Sequence, residues 1–281
     1  MKPLTYTATS LLFYHFLISS AASLLCWQTI TELQHSVDEN NLYGFTFFAT
    51  LFSYNLHVYL GSLKDRNSEQ LDWFREHPLT TRILLFLSFF GTIYFVFQLP
   101  SLLFAILAGI ALNASYTAPL LLKKPIQLPL VLTFIKSYFI GFVWAYATVF
   151  LPAVASNQSM DSSFLLLFGE RLILVAMATF IFDYRDHLVD LEWGVHTPAN
   201  HLNEHQQRIF FLLNLLAYGL LVLFFAIETH HFNHLFQLAN AAALWFLLVY
   251  SRKAPGDLFY LGWVDGILLL APVLTVTETI F

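Results

Sequence analysis

Charged residues are scarce in this chain. Lys, Arg, Asp and Glu make up 11% of its 281 residues, whereas an ordinary globular domain has roughly 25% charged residues. Hydrophobic residues make up 58% of the chain. This composition excludes a water-soluble fold, because too few polar side chains are available to cover its surface. We therefore expect an integral membrane protein.

Cysteine is almost absent as well. Cys26 is the only one, which excludes a disulfide framework and a thiolate metal site. The chain also has no basic patch, so no nucleic-acid partner is expected. Its net charge of -5 says little about partners, because in a membrane protein the placement of the basic residues matters more than their sum.

Apolar stretches recur from one end of the chain to the other. Each has about 20 residues, enough to cross a hydrocarbon core of roughly 30 Å as a helix. We predict an all-α polytopic membrane protein with about nine transmembrane helices in a single bundle, one domain over 1-281. Polar or Pro-bearing breaks place these spans at 10-30, 42-63, 81-98, 101-118, 129-151, 163-184, 209-227, 235-250 and 258-277.

The basic residues predict the orientation of these spans. Cytoplasmic loops are enriched in Lys and Arg, and all but two of the 13 basic residues precede the first span or flank alternate loops. The exceptions, Lys136 and Arg171, lie within spans. The pattern predicts a cytoplasmic N-terminus and an external C-terminus. The residues on the predicted cytoplasmic side are Lys2, Lys64, Arg66, Arg75, Arg82, Lys123, Lys124, Arg185, Arg208, Arg252 and Lys253.

Three aspartates stand at the cytoplasmic end of the sixth span. Asp183, Asp186 and Asp190 are three and four residues apart, so a continuous helix would project them from one face. Their carboxylate oxygens suit Mg²⁺, which is usually held by one or two carboxylates together with substrate phosphates. Such a cation would neutralise a diphosphate leaving group. The alternative is a solvated helix end, with Arg185 as the partner of an aspartate.

At these residues the chain resembles the UbiA family of intramembrane prenyltransferases. The family motif is Asp-x-x-x-Asp, followed four residues later by Gly, a hydrophobic residue, any residue and Ser or Thr. It matches Asp186, Asp190, Gly194, Val195 and Thr197, and Asp183 extends it as in some members. The resemblance implies nine helices and two Asp-rich cytoplasmic motifs that bind Mg²⁺ and an isoprenyl diphosphate. It makes the three aspartates the expected metal ligands.

A weaker similarity follows the fourth span. Members of the family carry a Tyr, a Pro and a basic pair there, before a span with Gly and Trp. The corresponding residues are Tyr116, Pro119, Lys123, Lys124, Gly141 and Trp144. The resemblance implies that Lys123 and Lys124 contact the diphosphate, although the positive-inside rule explains the pair equally well.

The first Asp-rich motif is degenerate. The family has Asn-Asp-x-x-Asp-x-x-x-Asp at the end of the second helix, and only Asn55 is retained here. Leu56, Tyr59 and Leu63 stand at the aspartate positions. We therefore expect Asn55 to contact the diphosphate, and one Mg²⁺ site rather than two.

The resemblance implies an enzyme that transfers an isoprenyl group from its diphosphate to an aromatic or lipid-pathway acceptor within the membrane. An alternative is a catalytically inactive isoprenoid-binding or scaffold protein, which the degenerate first motif supports. A second alternative is a secondary transporter that uses Lys136 and Asp265, although no internal repeat supports it. The expected partners are an isoprenyl diphosphate and membrane lipid, and the expected location is a bacterial cytoplasmic membrane.

Other ionisable residues fall within or beside the predicted spans. Such residues usually face the bundle interior, a cavity or each other. Lys136 is the strongest functional candidate, although it could also extend back to the surface. Glu170 and Arg171 could sit at the outer boundary. A metal site at His230, His231 and His234 is disfavoured, because Glu228 is the only carboxylate expected nearby.

Overall fold

The computed structural model of the protein describes residues 3–33, 40–63, 68–122, 136–192, 197–253 and 255–280. Every regular element in these ranges is a helix, as predicted. The helices are α1 (Pro3–Phe13), α2 (Phe16–Glu32), α3 (Asn40–Ser62), α4 (Glu69–Glu76), α5 (Pro78–Gln98), α6 (Leu103–Leu122), α7 (Lys136–Ala155), α8 (Ser162–Glu192), α9 (Pro198–His201), α10 (Glu204–Thr229), α11 (Phe232–Ser251) and α12 (Asp257–Phe259, Tyr260–Val264 and Ile267–Ile280).

Several of these helices are long and apolar enough to cross a membrane, which indicates an integral membrane protein. By length and composition, six segments qualify within the described part of the chain, and the pair α1 and α2 makes a seventh if it is one bent span. The six are Pro78–Gln98, Lys136–Ala155, Ser162–His187, Glu204–Thr229, Phe232–Ser251 and Asp257–Val276.

The first predicted span is broken rather than continuous. His15 has a left-handed backbone conformation with a φ of 62°, which ends α1, and the axes of α1 and α2 differ by 59°. The break takes the carbonyl of Phe13 out of a regular helix, and the side-chain amide of Gln70 donates a hydrogen bond to it at 2.8 Å. The same amide nitrogen lies 2.9 Å from Nε2 of His15. A polar side chain from α4 therefore stabilises the break, and pattern alone did not predict it.

Proline shapes the middle of α7. Residues Tyr146–Phe150 form a π-helical turn just before Pro152. Because proline has no backbone N–H, it cannot donate to the carbonyl of Thr148, four residues earlier. The hydroxyl of Thr29 donates to this carbonyl instead, at 2.6 Å. Helix α2 is therefore held against the irregular turn of α7.

Helix α8 lies at the centre of the main hydrophobic core and packs against α7, α10 and α11. Its contact with α7 is unusually close at Gly141, where a Cβ atom would clash with the backbone carbonyl of Leu172. A glycine lets the two helix backbones approach, as small residues do in membrane bundles. This approach also brings the start of α7 beside the aspartates of α8.

Near the other end of α8, His234 lies between two glutamates. Its Nε2 is 2.9 Å from an oxygen of Glu170 and its Nδ1 is 3.2 Å from an oxygen of Glu32. All three residues are buried. The expectation that only Glu228 would lie near these histidines was wrong, because Glu32 and Glu170 are far from His234 in sequence and only the packing of α2, α8 and α11 unites them.

Arg171 extends this buried polar cluster. Its guanidinium donates to the side-chain oxygen of Gln28 at 2.6 Å and to the hydroxyl of Thr148 at 2.9 Å. Arg171 is 2% exposed, so it lies inside the bundle rather than at a boundary. The charged groups that α8 buries here have partners from α2, α7 and α11.

We predict that Gly141→Ala destabilises the protein by about 1–3 kcal/mol, because the added methyl group forces α7 away from α8. Gly219→Ala is the matched control, since a Cβ atom there would meet only Leu238, at an ordinary 3.6 Å. Thermal unfolding in detergent measures both variants. Equal melting temperatures would show that the close approach at Gly141 does not matter for stability.

Candidate functional site

A cavity of about 200 Å³ opens between the helices beside the aspartates of α8. Charged groups lie in one part of its wall: Lys136, Asp183, Arg185, Asp186 and Asp265. Apolar and aromatic side chains form much of the rest, including Ile18, Tyr54, Phe139, Ile140, Val143, Trp144, Val175, Phe182 and Leu268. A cavity with these two kinds of wall suits an amphipathic ligand.

Lys136 joins two of the three aspartates. Its ammonium nitrogen lies 3.1 Å from Oδ1 of Asp183, and 3.1 and 2.9 Å from the two oxygens of Asp190. The aspartates are two helical turns apart on α8, which continues through them to Glu192. The long lysine side chain starts from the first residue of α7 and bridges them. The sequence left two orientations open for Lys136, and in the structure it faces the cavity and the aspartates.

Asp183 is held from two sides. Besides the contact with Lys136, its Oδ2 accepts a hydrogen bond from the hydroxyl of Ser137 at 3.1 Å. It is 1% exposed, and Asp190 is 9% exposed. A solvated helix end would leave both carboxylates in water, so that alternative does not describe these two residues.

Asp186 faces a different cation. Nε of Arg185 donates to its Oδ1 at 2.9 Å. The guanidinium also lies 4.9 Å from the centre of the Phe182 ring and 5.6 Å from that of Tyr260, within the range of cation–π attraction. A longer ion pair of 3.8 Å links it to Asp257. Arg185 is thus fixed beside the cavity by groups from α8 and α12.

Asn55 is not among the residues that line the cavity beside the aspartates. Asn55 is buried, and its amide nitrogen donates to the backbone carbonyls of Tyr14 at 2.9 Å and Leu51 at 2.7 Å. It does not line the cavity, whereas His57 and Tyr54 of the same helix do. Residues two apart on a helix point in different directions, so the retained asparagine faces the packed side of α3.

Other predicted contacts lie outside the described residues. These are Lys123 and Lys124, together with Gly194 and Val195 of the Asp-rich motif. Thr197 is described and buried, at the start of α9. Gly141 and Trp144 of the weaker similarity lie on α7, where Trp144 lines the cavity and donates to the hydroxyl of Tyr54 at 3.2 Å.

The aspartates offer suitable donor chemistry for Mg²⁺, since it prefers carboxylate oxygens. Asp183 and Asp190 converge closely enough to share one cation, but that cation is the ammonium of Lys136. Asp186 is turned toward Arg185. Within the described ranges, no group of three or more His, Cys, Asp or Glu side chains is arranged to hold a metal ion. A metal would therefore have to share or replace these cationic partners.

A second cavity of about 120 Å³ adjoins the first. The two share wall residues, among them Ser53, Tyr54, Asn113, Val143 and Trp144. The remaining wall of the second cavity is mostly apolar and includes Ala22, Phe45, Ala49, Ile106, Ile110 and Leu151. A long apolar group that begins at the charged end could continue into this space.

His15 and Gln70 are wall residues that had no signal in the sequence. His15 lines the cavity because α1 ends at it, and Gln70 lines it because α4 folds back against that break. Arg185 did have a signal, since it stands next to Asp186, and the sequence suggested it as a partner for an aspartate. Asp265 was an expected intramembrane acid, and it lines the same cavity.

Comparison with known proteins gives no match, whether to a family model, a curated protein or a solved structure. The chemistry of the site comes from its own side chains. Among the described residues, the three aspartates of α8 form ion pairs with Lys136 and Arg185. The cavity wall combines these charged groups with apolar and aromatic side chains that can contact a hydrocarbon group.

We predict that Lys136 and Asp183 are energetically coupled. Removing either partner leaves the other buried with less compensation, which is costly in a low-dielectric interior. A double-mutant cycle with Lys136→Met and Asp183→Asn, followed by unfolding in detergent, should give a coupling energy of about 1–3 kcal/mol. The exposed pair of Arg75 and Asp72 is the control, and we expect about 0–1 kcal/mol there. Equal coupling in the two pairs would contradict the assignment of a buried ion pair.

Proposed function

We propose that the chain is a UbiA-like intramembrane prenyltransferase. It would transfer an isoprenyl group from its diphosphate to an aromatic or lipid-pathway acceptor within the membrane. The observation that supports this function best is a cavity inside an apolar helix bundle with a charged end and apolar, aromatic walls. An isoprenyl diphosphate has the same two-part chemistry, since a charged head is joined to a branched hydrocarbon tail.

A diphosphate would bind at the charged residues of the cavity only together with a cation such as Mg²⁺. Asp183, Asp186 and Asp265 line the cavity beside Lys136 and Arg185, and carboxylates repel an anionic head group. Asp183, Asp186 and Asp190 are the residues that would hold Mg²⁺, and Mg²⁺ would neutralise the charge of the leaving diphosphate. Arg185 provides a fixed positive charge at the cavity wall.

The apolar end suits the hydrocarbon part of the reaction. When the bond between the prenyl carbon and the diphosphate oxygen breaks, positive charge develops on the allylic carbon. The rings of Tyr54, Phe139 and Trp144 line the cavity, and aromatic faces attract cations most strongly where water is excluded. The acceptor then forms the new bond to this carbon and loses a proton. Asp265 is a buried carboxylate of the wall that could receive it.

A catalytically inactive, isoprenoid-binding relative is the second candidate. Two observations favour it. Asn55, the retained residue of the first motif, is bonded to backbone carbonyls, and Lys136 stands between two of the expected metal ligands. Such a protein would bind the prenyl group in the same cavities without releasing diphosphate.

We propose further that nine helical segments cross the membrane, with the N-terminus on the cytoplasmic side of a bacterial inner membrane. Beyond the six spans and the bent pair, α3 has 23 residues and α6 has 20. At 1.5 Å per residue they are about 30 Å or more in length, enough to span a bilayer. The placement of the basic residues supports the orientation.

The position of Ser101 tests the two extra spans. In a Cys26→Ser background, a cysteine replacing Ser101, between α5 and α6, should react from outside the cell with a membrane-impermeant maleimide. A cysteine in place of Gln158 should behave in the same way, and one in place of Ser68 should react only after permeabilisation. If Ser101→Cys reacts like Ser68→Cys, α5 and α6 do not both cross and the count of nine is wrong.

Binding of an isoprenyl diphosphate tests the proposed function itself. We expect purified protein in detergent to bind geranyl or longer isoprenyl diphosphates saturably and only with Mg²⁺. Asp186→Asn/Asp190→Asn should weaken this binding at least tenfold, because the metal loses its ligands. Calorimetry or a radioligand filter assay measures the effect.

Asp72→Asn is the matched control for this experiment, since Asp72 is exposed and pairs with Arg75 away from the cavity. Saturable binding that ignores both Mg²⁺ and the double substitution would favour the inactive isoprenoid-binding relative. If the protein binds no isoprenyl diphosphate under any of these conditions, both candidate functions are excluded.

A further inference from the structure

The ammonium group of Lys136 occupies a position that resembles a metal site. It lies within 3.1 Å of one oxygen of Asp183 and of both oxygens of Asp190. An ammonium group has three N–H donors, and it donates to each of these three oxygens. Carboxylates from two turns of α8 therefore converge on one positive charge supplied by α7.

This position is well shielded from water. The side chains of Lys136, Asp183 and Asp190 are 18%, 1% and 12% exposed. Attraction between opposite charges is much stronger in such surroundings than at a surface. The backbone of Lys136 also lies near the aspartates, because α7 and α8 approach each other closely at Gly141.

Asp186 differs from the other two aspartates. Asp183 and Asp186 both line the cavity, but the side chain of Asp186 is 37% exposed and its partner is Arg185. Asp186 is therefore the most accessible of the three carboxylates to an entering cation. The cation would reach Asp183 and Asp190 only by displacing the ammonium of Lys136.

We propose that Lys136 is a tethered cation that takes the place of a divalent metal ion between Asp183 and Asp190. The inference rests on the proposed function only where it treats these aspartates as metal ligands. It explains how the protein can keep three aspartates on α8 and still balance part of their charge without a second metal. Asp186 is then the first carboxylate that a metal ion arriving with a diphosphate can bind, and that metal gains Asp183 and Asp190 as ligands only by displacing the ammonium of Lys136.

Mn²⁺ binding in the absence of any diphosphate tests this role. The electron paramagnetic resonance signal of free Mn²⁺ falls as the ion binds, so titration of purified protein in detergent yields the affinity. Lys136→Met should bind one Mn²⁺ at least tenfold more tightly than the wild type, because two buried carboxylates lose their cation. Mg²⁺ should compete for the same site.

Three further variants locate the effect. Lys136→Arg keeps the positive charge and should bind Mn²⁺ as weakly as the wild type. Lys253→Met removes a lysine that lies over Tyr250 outside the cavity, so it should change nothing. Adding Asp190→Asn to Lys136→Met should abolish the gain. Lys136→Gln, which is polar and of similar length, serves if the methionine variant is unstable.

The proposal is overturned if Lys136→Met and Lys136→Gln bind Mn²⁺ no more tightly than the wild type. It is also overturned if the gain persists without Asp190. These outcomes are separate from failure of the prenyltransferase proposal, since no prenyl substrate is present. A protein that gains Mn²⁺ affinity here but never binds an isoprenyl diphosphate would retain the tethered cation and lose the proposed enzyme.

Discussion

Charges buried inside a helix bundle have to find partners there, because an isolated charge in a low-dielectric interior is very costly. Helix α8 carries such charges in two regions along its length. Glu170 and Arg171 are buried near one end, and Asp183 and Asp190 near the other. Their partners come from other helices, including Lys136 of α7. The pairing therefore constrains how the surrounding helices are placed around α8, in addition to the apolar core.

The two regions differ in how many of their charged groups line a cavity. Around Glu170 and Arg171, acceptors and donors interlock with residues such as His234 and Gln28, and none of these four lines either cavity. In the aspartate region, Asp183 and Asp186 line the larger cavity together with their cationic partners Lys136 and Arg185. A buried polar network stabilises and specifies packing, whereas charged groups beside open space can bind a ligand. This contrast is why the aspartate end is the candidate site.

Sequence patterns predicted much of the fold. Apolar length predicted helices, several of them able to span a membrane, in the described part of the chain, and the break at Pro100 lies where expected. The kink at His15 was not predicted, because it depends on Gln70, a residue more than fifty positions away that hydrogen-bonds at the break. For the site, spacing identified Asp183, Asp186 and Asp190, and intramembrane position identified Lys136. The resemblance also suggested Asn55, which does not line the cavity and donates to the backbone carbonyls of Tyr14 and Leu51.

The sequence by itself determined that the chain is helical and suited to a membrane, since apolar length and scarce charge act locally along the chain. It also determined which residues carry charge into the bundle. Only the tertiary structure decided which of these charges meet. Lys136 reaches Asp183 and Asp190 because Gly141 lets two backbones approach, and that is a property of helix crossing. Distances between residues far apart in sequence depend on packing, which local pattern does not encode.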